Sequence, residues 1–261
     1  MHARLKDKRI SYDKMHFRTI QASALKSVFE VLKDIINDVN VYFTDKGIQI
    51  LTLDTARVTL VHMFMSADNF EEYECPENLA AGMNMANIYK LLKSVCSQDV
   101  LSASITGRDF MEMVIENPVK KSSTKFKLKL LDINEDILEF PDVDMNVVTT
   151  LPSVDFQKMT RDMSNLSTEM GIIRDGNTLE LSCKGDFADQ CTVIEFPEHV
   201  KRTGGTFSLK YINLFTKATN MCSSVQILQN STNSDMPIIF RYTIANLGDL
   251  KFYLAPKIDD T

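Results

Sequence analysis

Apolar and polar positions along this 261-residue chain follow two periods, and the same order of periods occurs twice. A strand-like run at 17–21 leads into residues 23–38. There Leu25, Val28, Val31, Leu32, Ile35 and Ile36 share one side of a helical wheel, and Lys26, Glu30, Lys33 and Asn37 share the other. That spacing predicts an amphipathic helix. Alternating runs at 41–43, 48–53 and 58–65 predict strands, and Asp45-Lys46-Gly47 is a hairpin signal. A second helix is predicted over 85–96, with Ile88, Leu91, Leu92 and Val95 inward and Lys90 and Lys93 outward. Strands at 100–106, 111–116 and 125–130 complete the first half.

The second half repeats this order. A strand at 146–151 precedes a helix over 153–166, with Ser153 as a candidate N-cap. Phe156, Met159, Met163 and Leu166 face inward; Lys158, Arg161 and Asn165 face out. Strands follow at 171–174, 178–183 and 191–196, with Asp175-Gly176 as a hairpin signal. The fourth helix is predicted over 207–219, with Tyr211, Ile212 and Phe215 inward and Lys210, Asn213 and Lys217 outward. Strands at 225–229, 237–244 and 249–254 end the pattern. Such repetition predicts an α+β chain of two similar domains, 15–130 and 146–258. Residues 131–145 hold acids and no basic residue, without a helical stripe, and read as an extended connector. Residues 1–14 form a basic extension, expected to be disordered, and 259–261 a tail.

Composition fits a globular chain of 44% apolar and 25% charged residues. No stretch reaches the roughly 20 apolar residues that cross a bilayer, so no membrane partner is expected. Cys75, Cys96, Cys183, Cys191 and Cys222 are odd in number and lack C-x-x-C spacing, which points to reduced thiols. No phosphate-cradling loop, dinucleotide fingerprint or paired Cys/His metal spacing is present. His2, His16, His62 and His199 read as surface or packed residues, and the adjacent Glu71 and Glu72 make a poor acid/base pair. No cofactor, metal or catalytic residue is expected. An alternative of another class is a metal-dependent nuclease using connector carboxylates such as Asp136 and Asp142.

The net charge is −6, yet each predicted helix carries a basic pair: Lys26 and Lys33, Lys90 and Lys93, Lys158 and Arg161, Lys210 and Lys217. Lysines on one helix are ordinarily a solvated face. Their recurrence at matching points of both halves predicts one positive surface suited to a phosphate backbone.

Several segments resemble the proliferating cell nuclear antigen family of sliding clamps: L-K-S-V-F-E-V-L-K-D-I-I-N at 25–37, and Leu53-Asp54 with Arg57-Val58-Thr59-Leu60-Val61. N-L-A-A-G at 78–82, Y-I-N-L-F-T-K-A-T at 211–219 and L-K-F-Y-L-A-P-K-I at 250–258 extend the match to roughly 17–259. The resemblance implies a homotrimeric ring, with antiparallel sheets outside and helices lining a central hole. It implies that the eight basic residues face duplex DNA, that an ATP-dependent loader opens the ring, and that no catalysis occurs. DNA polymerase and other proteins would dock a glutamine/aromatic motif in a groove. By position that groove is Leu53, Val58, Leu60, Leu138, Phe140, Pro141, Pro237, Tyr253, Ala255, Pro256 and Ile258. Ring closure would pair edge strands at 124–130 and 190–196. The implied location is the nucleus, or the viral replication compartment for a viral clamp.

Four departures stand out. Residues 1–14 precede the family's usual start. Lys158 replaces an arginine, and Asn165 stands where a basic or histidine side chain is common. Arg174 stands where many members carry a lysine that receives ubiquitin-like modifiers, so that conjugation is ruled out. The alternative within the family is a paralogue working in a hetero-trimeric checkpoint-type ring.

Overall fold

The computed structural model describes residues 14–54, 56–134, 138, 144–233 and 235–257. The first half runs β1 (Met15–Thr19), α1 (Ala22–Leu32), β2 (Asp38–Thr44), β3 (Gly47–Leu53), β4 (Thr59–Ser66), β5 (Glu72–Glu74) and β6 (Leu79–Asn84). It closes with α2 (Met85–Leu92), β7 (Val100–Ile105), β8 (Phe110–Asn117) and β9 (Ser122–Lys129). The second half runs β10 (Val147–Pro152), α3 (Ser153–Ser164), β11 (Glu169–Lys184), β12 (Asp189–Ser208) and α4 (Leu209–Phe215). A 3₁₀ turn at Thr216–Asn220 follows, then β13 (Ser224–Gln229), β14 (Ile238–Ile244) and β15 (Gly248–Leu254).

Each helix is shorter than its apolar period predicts. After Leu32 the chain tightens, with Asp34 N–H donating to Val31 O and Ile35 N–H to Leu32 O. Ile35 and Ile36 still pack into the core from this turn, so the apolar rhythm outlasts the helix. Ser153 is not an N-cap. It occupies the first helical position, buried, and its hydroxyl donates to Cys222 O at 2.6 Å. Phe207 and Ser208 belong to β12 rather than to α4. The short strand β5 and the strand β6 had no clear alternation in sequence.

Five strands form one antiparallel sheet in the order β5-β1-β7-β8-β9. Eight form another, β10-β13-β14-β15-β4-β3-β2-β6, which passes through both halves. The seam is β15 against β4, with Phe252 opposite Val61 and Tyr253 opposite Leu60. Strands β11 and β12 pair separately, with register shifts around Gly176. A Cβ on Gly171 would lie 2.9 Å from Ser182 Oγ. Eleven extended residues span more than 30 Å, so β11 doubles back on itself around Gly176, whose φ is +55°. β12 wraps the result: residues 189–195 pair with 178–184, and 203–208 with 169–174.

The two halves share more than element order. Met85 N–H donates to Asn37 O as α2 begins, and Leu209 N–H donates to Thr168 O as α4 begins. Leu131 N–H donates to Gly82 O, and Lys257 N–H to Thr206 O. These matched bonds set the correspondence between repeats. Under each pair of helices lies an apolar core. The first half contributes Leu25, Val28, Leu32, Ile88 and Leu92 against Ile50 and Met63. In the second half Phe215 stacks on Phe252 at 4.5 Å between ring centroids, with Phe156 and Phe240 alongside. Aromatic pairs of this kind add to the area they bury.

Candidate nucleic-acid interface and partner groove

All four helices lie in one layer. α1 packs on α2, α3 packs on α4, and α1 touches the 3₁₀ turn that continues α4. Polar bonds tie the same neighbours together. Tyr89 on α2 donates to Glu30 Oε1 on α1 at 2.8 Å, and Lys217 Nζ reaches Asp34 Oδ2 at 2.6 Å. The eight basic residues sit on this layer. Lys26, Lys90, Lys158, Arg161 and Lys210 are within helices; Lys33 and Lys93 cap α1 and α2; Lys217 is in the 3₁₀ turn. Lys90, Lys93, Lys158, Arg161, Lys210 and Lys217 are exposed, while Lys26 and Lys33 are half-buried.

Charge is sorted by this layer. Eight cations there face four acids (Glu30, Asp34, Asp155 and Asp162), leaving +4 on the helices of a chain whose net charge is −6. The remainder of the chain therefore carries −10. A field of one sign on one face steers polyanions to that face. Not every cation is equally available. Lys26 Nζ donates to Val95 O at 3.0 Å, pinning α1 to the turn after α2. Asp34 accepts from both Lys33 at 2.7 Å and Lys217 at 2.6 Å. Burial raises the Asp34 carboxyl, but the hydrogen bonds from Lys217 and Lys33 outweigh it and hold the pKa below its ordinary value. The bridge therefore persists at neutral pH and is lost only as the pH falls through that depressed value. Asp34→Asn is expected to release both lysines and raise affinity for a short DNA duplex about threefold at low salt. An unchanged affinity in fluorescence anisotropy would show that Asp34 does not compete with phosphate.

On the opposite face of the eight-stranded sheet lies a second, smaller apolar cluster of Leu60, Ile239 and Tyr253, with Leu51, Met145 and Leu228 against it. Registers explain its shape. Leu53 pairs with Leu60, Leu60 with Tyr253, Tyr253 with Ile239, Ile239 with Leu228, and Leu228 with Val148. Residues directly opposite in antiparallel strands share a face. One apolar row therefore crosses six strands and the seam between the halves. Leu53, Val58 and Val148 remain exposed along it or beside it, and Leu138 is exposed as well. Asp54 shapes the rim: its carboxylate accepts from Val58 and Thr59 N–H, both at 2.8 Å, folding the turn that presents Val58.

The row contains Leu53, Leu60 and Tyr253 from the sequence-derived groove. Ala255 and Pro256 follow directly on β15, exposed and half-buried. Pro237, just before β14, also borders a small pocket with Gly204, Phe207 and Gln229. Phe140, Pro141 and Ile258 lie outside the described residues, as do Asp136, Asp142 and the extension before Lys14. Sequence reasoning missed Val148, Leu228 and Ile239. The signal was Ile238-Ile239-Phe240, a run apolar on both faces of its strand. Among the described residues no group of three or more His, Cys, Asp or Glu is placed to hold a metal.

Arg174 is not at the surface. It is 2% exposed and occupies a core position of the second repeat, in register with buried Met170 and Ile172 of the same strand. Its guanidinium binds Thr149 Oγ1 and the carbonyls of Gly176, Thr178 and Glu198, and rests on the Phe196 ring at 4.6 Å.

A duplicated chain with a cationic helical layer and an apolar seam on its opposite face is a two-domain clamp. Family models agree along its length. The proliferating cell nuclear antigen N-terminal domain matches residues 15–139, and the C-terminal domain matches 139–257. The chain belongs to the proliferating cell nuclear antigen family, the non-catalytic DNA sliding clamps. A "Probable DNA polymerase sliding clamp 1" of Paramecium bursaria Chlorella virus 1 is 35% identical over 254 residues, covering 92% of this chain and 96% of the relative.

Proposed function

We propose that three copies of this chain close head to tail around duplex DNA, with helices inward, and carry a DNA polymerase on the outer face. The sorting of charge supports the reading most strongly: the helical layer is positive on a chain that is otherwise strongly negative. Contacts from lysine and arginine to phosphates hold a duplex without reading its sequence, so the ring stays free to move along it. Tethering then raises the local concentration of a docked enzyme at its template.

Closure follows from the repeat. Strand β15 pairs with β4 inside the chain, and their counterparts in the other repeat are β9 and the first half of β12. Both counterparts are edges here. Unpaired edges seek partners, and a head-to-tail pairing that closes makes a ring. Partners with a glutamine/aromatic motif would dock in the apolar row at the seam, and an ATP-dependent loader would open the ring. Such a protein works where DNA is replicated.

Particle mass tests the assembly. Three chains of 29.6 kDa are expected by light scattering, and a monomer would overturn the self-closing ring. Lys90→Glu with Lys93→Glu tests the inner face more cleanly than Lys217, whose reversal would also set two acids together at Asp34. The double variant is expected to keep its mass, lose about tenfold in DNA affinity and show a shallower salt dependence. Unchanged polymerase stimulation would refute the DNA-facing assignment.

A further inference from the structure

The correspondence between repeats fixes more than which edges meet; it fixes their register. In the first half Met113 pairs with Phe126, and in the second Phe240 pairs with Phe252. Ile50 pairs with Met63, and Leu181 pairs with Thr192. Matching these pairs puts Phe126 in the place of Phe252 and Thr192 in the place of Met63. At the internal seam Phe252 faces Val61 and Tyr253 faces Leu60. Carried to the open edges, Phe126 of one copy faces Gln190 of the next, and Lys127 faces Asp189.

The chemistry at those matched positions is inverted. Inside the chain the row reads Leu60, Tyr253, Ile239, all buried. In the same order at the open edges it reads Asp189, Lys127, Glu112, all exposed. Glu112 pairs with Lys127 across β8 and β9, so Lys127 stands between its own Glu112 and the neighbour's Asp189. Its ammonium already lies 4.4 Å over the Phe110 ring, which holds it on this face. Asp189 Oδ1 accepts from Gly185 N–H at 3.3 Å, which steadies its carboxylate. Flanking charges on the two edge strands follow the same division, with Lys125 and Lys129 on β9 and Glu195 on β12, while Lys184 of β11 lies directly opposite Asp189.

We infer that, given the ring proposed above, a second copy of this chain docks β12 on β9 with Asp189 opposite Lys127, and that this charge pair selects self over other edges. The apolar seam makes the internal junction permanent, because separating it would expose buried side chains. The charged junction can be parted into water at little cost, which suits a ring that must open.

Charge reversal reads this directly, because both side chains are exposed and neither supports the core. Lys127→Glu alone and Asp189→Lys alone are each expected to raise the dissociation midpoint of the trimer by about tenfold or more in sedimentation. Both changes in one chain restore an attractive pair at every junction, and the midpoint should return to near the native value. A mixture of the two single variants gives a further outcome. Unlike chains attract, but three chains in a ring force one like pair together, so the mixture should yield two-chain species and few complete trimers. If the native chain is trimeric and the single variants dissociate no more readily, the ring stands and the charge pairing falls. If the double variant dissociates as readily as the singles, or the mixture closes full trimers, the pairing also falls. A monomeric native chain would remove the ring itself.

Discussion

Replacing Arg174 with alanine should lower the unfolding free energy of the chain by about 3–5 kcal/mol, the range for breaking a buried hydrogen-bonded charge site. Nε donates to Thr149 Oγ1 at 3.2 Å, Nη1 to Gly176 O at 3.1 Å and Thr178 O at 3.0 Å, and Nη2 to Glu198 O at 3.2 Å. One planar group thus joins β10, the reversal of β11 and the middle of β12. Alanine would leave one hydroxyl and three carbonyls short of a donor and open a cavity above Phe196. Lysine would recover only part of the loss, because its ammonium is a compact point donor rather than a fork. Urea denaturation measures the change. A loss under about 1 kcal/mol would mean that water or a neighbour replaces the guanidinium.

Arg174 also marks a limit of sequence reading. A charged residue beside Asp175-Gly176 looks like the exposed flank of a turn, and nothing local reveals that carbonyls converge on it. The turn itself was legible, because Gly176 takes the positive φ that an Asp-Gly pair favours. Helix faces were legible too, since Leu25, Val28 and Leu32 repeat at helical spacing and do enter the core. Helix ends were not. Ile35 and Ile36 keep the apolar rhythm while packing from a turn, and Ser153 looks like a cap but spends its hydroxyl on Cys222 O. The basic pairs could be read because charge on a helix is set by spacing alone. The apolar row across six strands could not, because it depends on registers between strands up to about 200 residues apart in the chain. The resemblance supplied Leu53, Leu60 and Tyr253; the sheet supplied Ile239, Leu228 and Val148.

Tyr253→Ala should weaken binding of a glutamine/aromatic motif peptide by about a hundredfold, the scale of an interface hot spot. Tyr253 is 8% exposed at the centre of the row, with Leu60 on one side and Ile239 on the other. Its ring closes the seam between β4 and β15, and a docked aromatic side chain would rest against it and the exposed Leu53 and Val58. Truncation would therefore remove contact area and let water into the floor of the groove. Tyr253→Phe keeps the ring and should retain most of the affinity, which separates packing from any role of the hydroxyl. In the ring proposed above the junction would lie at β9 and β12, so particle mass should survive both changes. Stoichiometry sharpens the test. The matched positions at the open edges are Asp189, Lys127 and Glu112, which cannot anchor an apolar plug. Titration calorimetry should thus give one peptide per chain, three per ring. Six sites per ring, or full affinity in Tyr253→Ala, would place docking somewhere other than the seam.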